Sequence, residues 1–440
     1  MRRVLSRSAN GGGSLLPVLS LALFVSAALP ADSANAATVR VTNCNDRGTG
    51  SLRDSVARAS SGDTIDLGGL SCRKITLTSG PIYIAQQDLS LVGSGRSRLA
   101  LDGNSSGPVL THDSPGYGTL VVKSMTLANG KGRCILALGD LDVIGSDVHH
   151  CAGGGLSVGG HLRLIDSRLF SNVSADESGG AASAQTLSAV RSHVWNNSAP
   201  EGGGLWAFTA MSITYSSISQ NRSTHYGAGL HVPWGTLLIN KSTVSNNRAS
   251  DLYTGRGGGA WAREVYIYDS TFSGNVANSA SAVLAWDYVR IANSTIVFNR
   301  ETQTDAARGG AVIVHRFEVA STPASAAVAP PALYEINSSI LARNQTSGMP
   351  GNDLGPDYAV AGANNLIERA SIPVPADTIS ANPLLDTLAD NGGPTRTHAL
   401  RSGSPAIDRG NNRRSRQYDQ RGAGYLRVKG RAADIGAVEH

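Results

Sequence analysis

Ser192-His193-Val194-Trp195-Asn196-Asn197, Ser216-Ser217-Ile218-Ser219-Gln220-Asn221 and Ser242-Thr243-Val244-Ser245-Asn246-Asn247 are three copies of one short phrase. Each opens on Ser, carries an apolar residue two positions later and closes on Asn. The phrase returns at Ser167 to Asn172, Ser270 to Asn275 and Ser294 to Asn299, with a degenerate copy beginning at Ser146. The outermost copies read as Ser124 to Asn129 and Ser338 to Asn344, the last one residue longer. Successive Ser positions differ by 22, 21, 25, 24, 26, 28 and 24 residues, then by 44. A period in the twenties is the mark of a solenoid. The final gap is read as one coil plus an Ala/Pro-rich insertion, Ser321 to Pro331, that loops out.

Working outward from the phrase, each copy follows a Gly-rich turn, such as Gly202-Gly203-Gly204, Gly227-Ala228-Gly229 or Gly257-Gly258-Gly259. Between turn and Ser the apolar residues alternate, as in Met211 and Ile213, Leu237 and Ile239, Val265 and Ile267. Period two is a strand with one buried face. One coil can neither bury that face nor pair its strands, whereas a stack of coils does both. The fold expected is all-β: a right-handed parallel β-helix, a single-stranded solenoid with a short irregular C-terminal region. Stacking at strand spacing, roughly 4.8 Å, then sets the closing Asn residues above one another as an amide ladder.

The bulk composition agrees. Of 440 residues, 51 are Gly and 16% are charged, while 41% are hydrophobic, too apolar a chain for disorder. Residues 1–36 read as a signal peptide: Arg2, Arg3 and Arg7, an apolar run from Leu15 to Leu29, and a small-residue cleavage site at Ala34-Asn35-Ala36. No transmembrane segment is expected in the mature chain. Removing Arg2, Arg3, Arg7 and Asp32 leaves 35 basic and 32 acidic residues, a net charge of +3 that gives no argument for nucleic acid. Cys44, Cys72, Cys134 and Cys151 all lie in the mature part, and an even count in an exported chain points to disulfides. Four cysteines allow three pairings; the sequential one, Cys44–Cys72 and Cys134–Cys151, closes two short loops.

Two stretches carry a family resemblance. Thr38 to Cys44, Gly48 to Asp54 and Gly62-Asp63-Thr64-Ile65, continued by Ile75 to Gly80 and Leu89 to Gly93, resemble the opening of bacterial right-handed β-helix proteins. These belong to the polymorphic outer-membrane-protein-like and pectin-lyase-like group. Near the C-terminus, Leu388-Ala389-Asp390-Asn391-Gly392-Gly393-Pro394-Thr395, Gly403-Ser404-Pro405-Ala406-Ile407-Asp408, Asp419-Gln420-Arg421-Gly422 and Asp434-Ile435-Gly436-Ala437-Val438-Glu439 resemble a choice-of-anchor Q domain. The resemblance implies a pectin-lyase-like fold and an extracellular, secreted or cell-surface location. The organisation expected is a signal peptide over 1–36, an N-terminal cap and first coils over 37–119, repeats over 120–370, and the choice-of-anchor Q-like region over 371–440.

Chemistry is sparse in the sequence. Polysaccharide hydrolysis needs two or three converging carboxylates, and lysis needs a cation and a base; the acids here fall about one per coil. Gly155-Leu156-Ser157-Val158-Gly159 matches the nucleophile-elbow string without its strand-turn-helix setting. No catalytic residue, cofactor or metal site is therefore assigned. Counting alternation from the Gly-rich turns puts Trp206, His231 and Trp261 outward on successive coils, with Trp286 near the same line. Such rings would form a flat exposed strip able to hold a sugar. Residues 401–431 are basic, and Arg413, Arg414, Arg416 and Arg421 are expected to form a patch for anionic surfaces. The function expected is non-catalytic adhesion or carbohydrate and envelope binding by a monomer. The alternatives are a polysaccharide lyase or glycoside hydrolase with an unrecognised site, and a purely structural envelope protein.

Overall fold

The computed structural model describes residues 36–251, 253–303, 309–315, 333–355 and 358–440. The insertion Ser321–Pro331 and the expected signal peptide, apart from Ala36, lie outside these. Ala36–His440 forms one compact unit. Its strands assemble into three sheets, and apart from one short antiparallel pair their ladders are parallel. The second sheet has twelve strands, one from each turn of a right-handed β-helix. The long sheet has 17 strands and the third has seven. A 7-residue helix, Leu52–Arg58, buries Leu52 and Val56 at the N-terminal end, and its first turn is closed by Ser51, whose Oγ accepts from Asp54 N–H.

The interior is built as the repeat requires. Leu169, Val194, Ile218, Val244, Phe272 and Ile296 are fully buried, as are Leu237, Ile239, Val265, Ile267, Val289 and Ile291. At one corner the Ser ladder is continuous: the N–H of each Ser donates to the Oγ of the Ser one coil on, from Ser146 through Ser294. At the next corner Asn172, Asn197, Asn221, Asn247, Asn275, Asn299 and Asn344 form the amide ladder, each joined to the next through Oδ1.

The register of the two outermost copies differs from the spacing-based reading by one residue. Met125, not Ser124, donates its N–H to Ser146 Oγ, and Ser339, not Ser338, receives the N–H of Ser294. Ser124 and Ser338 instead adopt the left-handed backbone (φ 57° and 47°) that precedes each ladder Ser. Leu341 therefore points inward, while Ile340 lies on the outer side of the second sheet beneath the C-terminal segment. Ser294 and Ser339 lie in adjacent coils, so the long gap is one coil carrying inserted residues.

Both disulfides have the sequential pairing, Cys44–Cys72 and Cys134–Cys151. Cys151 takes the place on the amide ladder before Asn172, and its N–H donates to Asn172 Oδ1.

The C-terminal segment docks across the outer side of the second sheet. Gln420 Oε1 accepts from Thr271 Oγ1 (2.6 Å), and Gln420 Nε2 donates to Thr243 Oγ1 (2.9 Å) and Thr395 Oγ1 (3.0 Å). Lys241 Nζ donates to the carbonyls of Tyr418 and Asp419, and His398 bonds Ser273. Leu385, Leu400, Ala406 and Ile435 cover Val297 and Ile340. Gln420→Ala removes three buried bonds at the centre of this contact, a loss of about 2 kcal/mol. Faster tryptic cleavage among the arginines of 401–431, with an unchanged circular dichroism spectrum, is the expected result; cleavage at the parent's rate would show that Gln420 does not hold the segment.

Candidate functional site

The outward face of the long sheet carries the densest group of aromatic side chains. Trp206, His231 and Trp261 are register partners on three successive coils, as their spacing predicts. The next positions on that line are Leu284 and Ile313. Trp286 lies two residues beyond Leu284, with its ring 5.4 Å from Trp261. His231 stacks on Trp261 at 4.4 Å and 16°, and Tyr226 reaches over Trp261 at 4.4 Å.

The strip is not the flat exposed surface its alternation suggests. His231 is 1% exposed and Trp261 7%. Tyr226 and Trp286 pack over Trp261, so His231 and Trp261 form a floor and other rings form the surface. Those outer rings are Phe208, 40% exposed, and Trp234, 58% exposed, with Trp206 and Trp286 half-buried between. Trp234 meets Trp286 edge-on at 6.1 Å. Simple alternation misses Trp234 because the ladder skips between Val232 and Thr236, where Pro233-Trp234-Gly235 bulges. Gly235 is required there: a Cβ would lie 1.6 Å from Thr209 O. A Pro-Trp-Gly string inside an otherwise alternating strand was the available signal.

The floor is electrically quiet. Burial holds the His231 imidazole down at about 3, so it is a neutral aromatic ring. Its Nδ1 lies 3.5 Å from Glu201 Oε2 but forms no ion pair, and burial pushes the Glu201 carboxyl above its usual range. Among the described residues, Trp206 Nε1, Trp261 Nε1 and both His231 nitrogens have no hydrogen-bond partner. Buried donors in that state are destabilising by about 1–3 kcal/mol each until an acceptor reaches them.

Further along the same strands the face becomes polar. Tyr288 Oη donates to Glu335 Oε2 at 2.7 Å, Arg290 Nε donates to the same oxygen at 2.8 Å, and Tyr266 lies 5.6 Å from Tyr288. Burial, then the Glu335 bond, pushes the Tyr288 phenol up to about 12. Burial alone would raise Glu335, but the bonds from Tyr288 and Arg290 outweigh it and hold the carboxyl below its usual range. Glu264 accepts from Tyr266, and Asp287 pairs with Arg263. The face thus offers ring faces, phenols and fixed charges, which is the chemistry of adsorbing hydroxyl-rich ligands.

The basic residues of the C-terminal segment divide. Arg413 and Arg414 reach this face, closing a cavity of about 160 Å³ with Arg290, Glu335 and Asn337, and Arg414 lies 3.7 Å over the Tyr268 ring. Arg416 and Arg421 do not join them as a free patch. Arg416 pairs with the buried Asp269 at 3.3 Å, and Arg421 grips Asp419 at 2.6 Å and stacks on Tyr425. Arg416 serves docking, because the segment brings it into a dry contact where a charge needs a partner, while Arg421 bonds within the segment, to Asp419 and to Glu439 O.

No family model matches the chain, and no curated protein matches it. Among solved structures it is similar to the crystal structure of pectate lyase Pel9A, at 11% identity and a TM-score of 0.47, over 92% of this chain and 97% of that one.

Proposed function

We propose that this is an exported β-helix protein that binds carbohydrate, in solution or on a cell envelope, through the outer face of its long sheet. The observation that carries this reading is the juxtaposition on one rigid face of the exposed rings Phe208 and Trp234, the unpartnered donors beneath them, and the Tyr266–Tyr288–Arg290–Glu335 group. Sugars present apolar ring faces beside hydroxyls, and this surface offers counterparts to both. Two disulfides, and the start of the compact unit at Ala36 beside the expected cleavage site, support export. Among the described residues no helix is long and apolar enough to cross a membrane.

The test is a glycan array probed with the parent chain and with Phe208→Ala/Trp234→Ala. Each exposed ring contributes about 1 kcal/mol to a stacked sugar, so the double variant should lose roughly 30-fold in affinity. Thermal stability should hold, since both side chains project outward. An array with no retained glycan, or a double variant that binds as the parent does, refutes the proposal. Release of reducing ends or unsaturated uronates during the assay would favour the lyase or hydrolase alternative.

A further inference from the structure

Several arginines that face solvent between coils are neutralised by an acid one coil away. Arg163 pairs with Asp142, Arg168 with Asp147, Arg191 with Asp166 and Arg263 with Asp287. Arg222 and Arg248 differ from these. They are direct register partners in the third sheet, both exposed, and among the described residues neither has an ion pair or side-chain hydrogen bond. Like charges set opposite each other are destabilising. Two coils beyond Arg248, after Val276, the same line carries Arg300.

Beside this pair runs a second row, the residues just before the buried amide ladder. Asn196, Gln220 and Asn246 all adopt left-handed backbone, with φ of 54°, 57° and 55°, and all are exposed. Asn196 donates to Ser171 Oγ, while the side-chain amides of Gln220 and Asn246 make no bond among the described residues. Gly274 is next in the row at φ 68°, where a Cβ would press within 2.5 Å of Asn246 Oδ1. Together these residues line an open groove of about 390 Å³. Next to Asn196, the Trp195 ring stacks on Phe170 at 4.4 Å and 10°, and the next residue on its line is the small Ser219. One ring face therefore looks along the groove.

From this geometry we infer a second binding site, for an anionic polysaccharide, at the corner between the second and third sheets. The Arg222–Arg248 pair receives sulfate or carboxylate groups, the amides of Gln220 and Asn246 bond sugar hydroxyls, and the Trp195 ring takes a sugar face. A polyanion lying along the axis meets one guanidinium in each of two adjacent coils, and its charge relieves their repulsion. At this groove the free positive charge is one short line of guanidinium groups, a narrow footprint for nucleic acid. The site lies apart from the long-sheet face and stands or falls independently of it.

Titration calorimetry of the purified full chain with dextran sulfate and with uncharged dextran tests the inference, because the two share a backbone. Dextran sulfate should bind with an affinity that falls on raising NaCl from 50 to 200 mM, and dextran should bind at least tenfold more weakly. Arg222→Gln/Arg248→Gln should weaken dextran sulfate binding by roughly tenfold or more and flatten the salt response. The same variant should melt no lower than the parent, since it removes a like-charge contact. Phe208→Ala/Trp234→Ala should leave this binding unchanged, which separates the two sites. Undiminished binding by the arginine variant overturns the inference. So does equal binding of oligo-dT or phosphatidylglycerol vesicles that is lost in the same variant, which would make the groove a general polyanion site.

Discussion

Asn247→Ala is expected to lower the stability of the fold by about 3–5 kcal/mol, although it removes only an amide group. Asn247 Oδ1 accepts from both the backbone N–H and Nδ2 of Asn221, each at 3.0 Å. Its Nδ2 donates to Ile218 O and to Asn275 Oδ1, again at 3.0 Å. Alanine leaves the Asn221 N–H dry and unpaired, strips the Ile218 carbonyl of one of its bonds, and takes one bond from the amide on either side. Burial is complete, so solvent cannot repair the loss. Coils stabilise only their neighbours, so a break here weakens the stack in both directions. A urea titration followed by circular dichroism measures the effect. A loss below about 1 kcal/mol would mean the ladder is ornamental and the apolar interior alone holds the coils.

Glu301→Gln should stabilise the protein at pH 8 by about 3 kcal/mol and change little at pH 5. Glu301 is buried against the third sheet and accepts from Ala280 N–H, Gly310 N–H and Thr346 Oγ1. Burial outweighs those bonds and raises its carboxyl from 4.5 to about 7. A raised carboxyl keeps its proton in the folded state after the unfolded chain has lost it. Its contribution is therefore complete below pH 4.5 and is lost as pH climbs through 7. Asp353 and Glu439, also raised by burial to about 7, act in the same sense. His149, His193, His231 and His398 are lowered by burial and act oppositely, losing stability as pH falls below 6.5. These groups are common to parent and variant, so the difference between their melting curves across pH 5–8 isolates Glu301. A difference independent of pH would show that Glu301 is ionised throughout.

The coil interior was legible because its signal is local and repeated. Val194, Ile218, Val244 and Phe272 each sit two places after a Ser, and each is wholly buried. The Asn ladder follows from the same spacing, and the sequential cysteine pairing agrees with it; that the Ser residues form a second ladder is decided by the fold. Errors of register arose only at the outer copies, Ser124 and Ser338, where a second Ser or a Met occupies the ladder position and spacing cannot choose between neighbours. The aromatic line was found in the right order yet given the wrong exposure. Alternation tells which side of a strand Trp261 leaves from, but not that Tyr226 and Trp286 will lie over it. Arg416 reads as free charge for the same reason, since Asp269 is 147 positions before it, whereas the partner of Arg421, Asp419, is only two positions away.

Read alone, the chain establishes its own period, the inward set, the Asn ladder and the all-β stack they imply. These depend on contacts between residues about two dozen positions apart, and a repeated phrase records such contacts directly. What covers each outer face is decided in the folded molecule. The C-terminal segment meets the second sheet through Lys241 and Gln420, whose partners lie about 150 to 180 residues away and share no period with them. Those contacts close over one side of the stack and leave the Trp234 face and the Arg222–Arg248 groove open, because shape and charge there answer to distant elements and not to neighbouring coils.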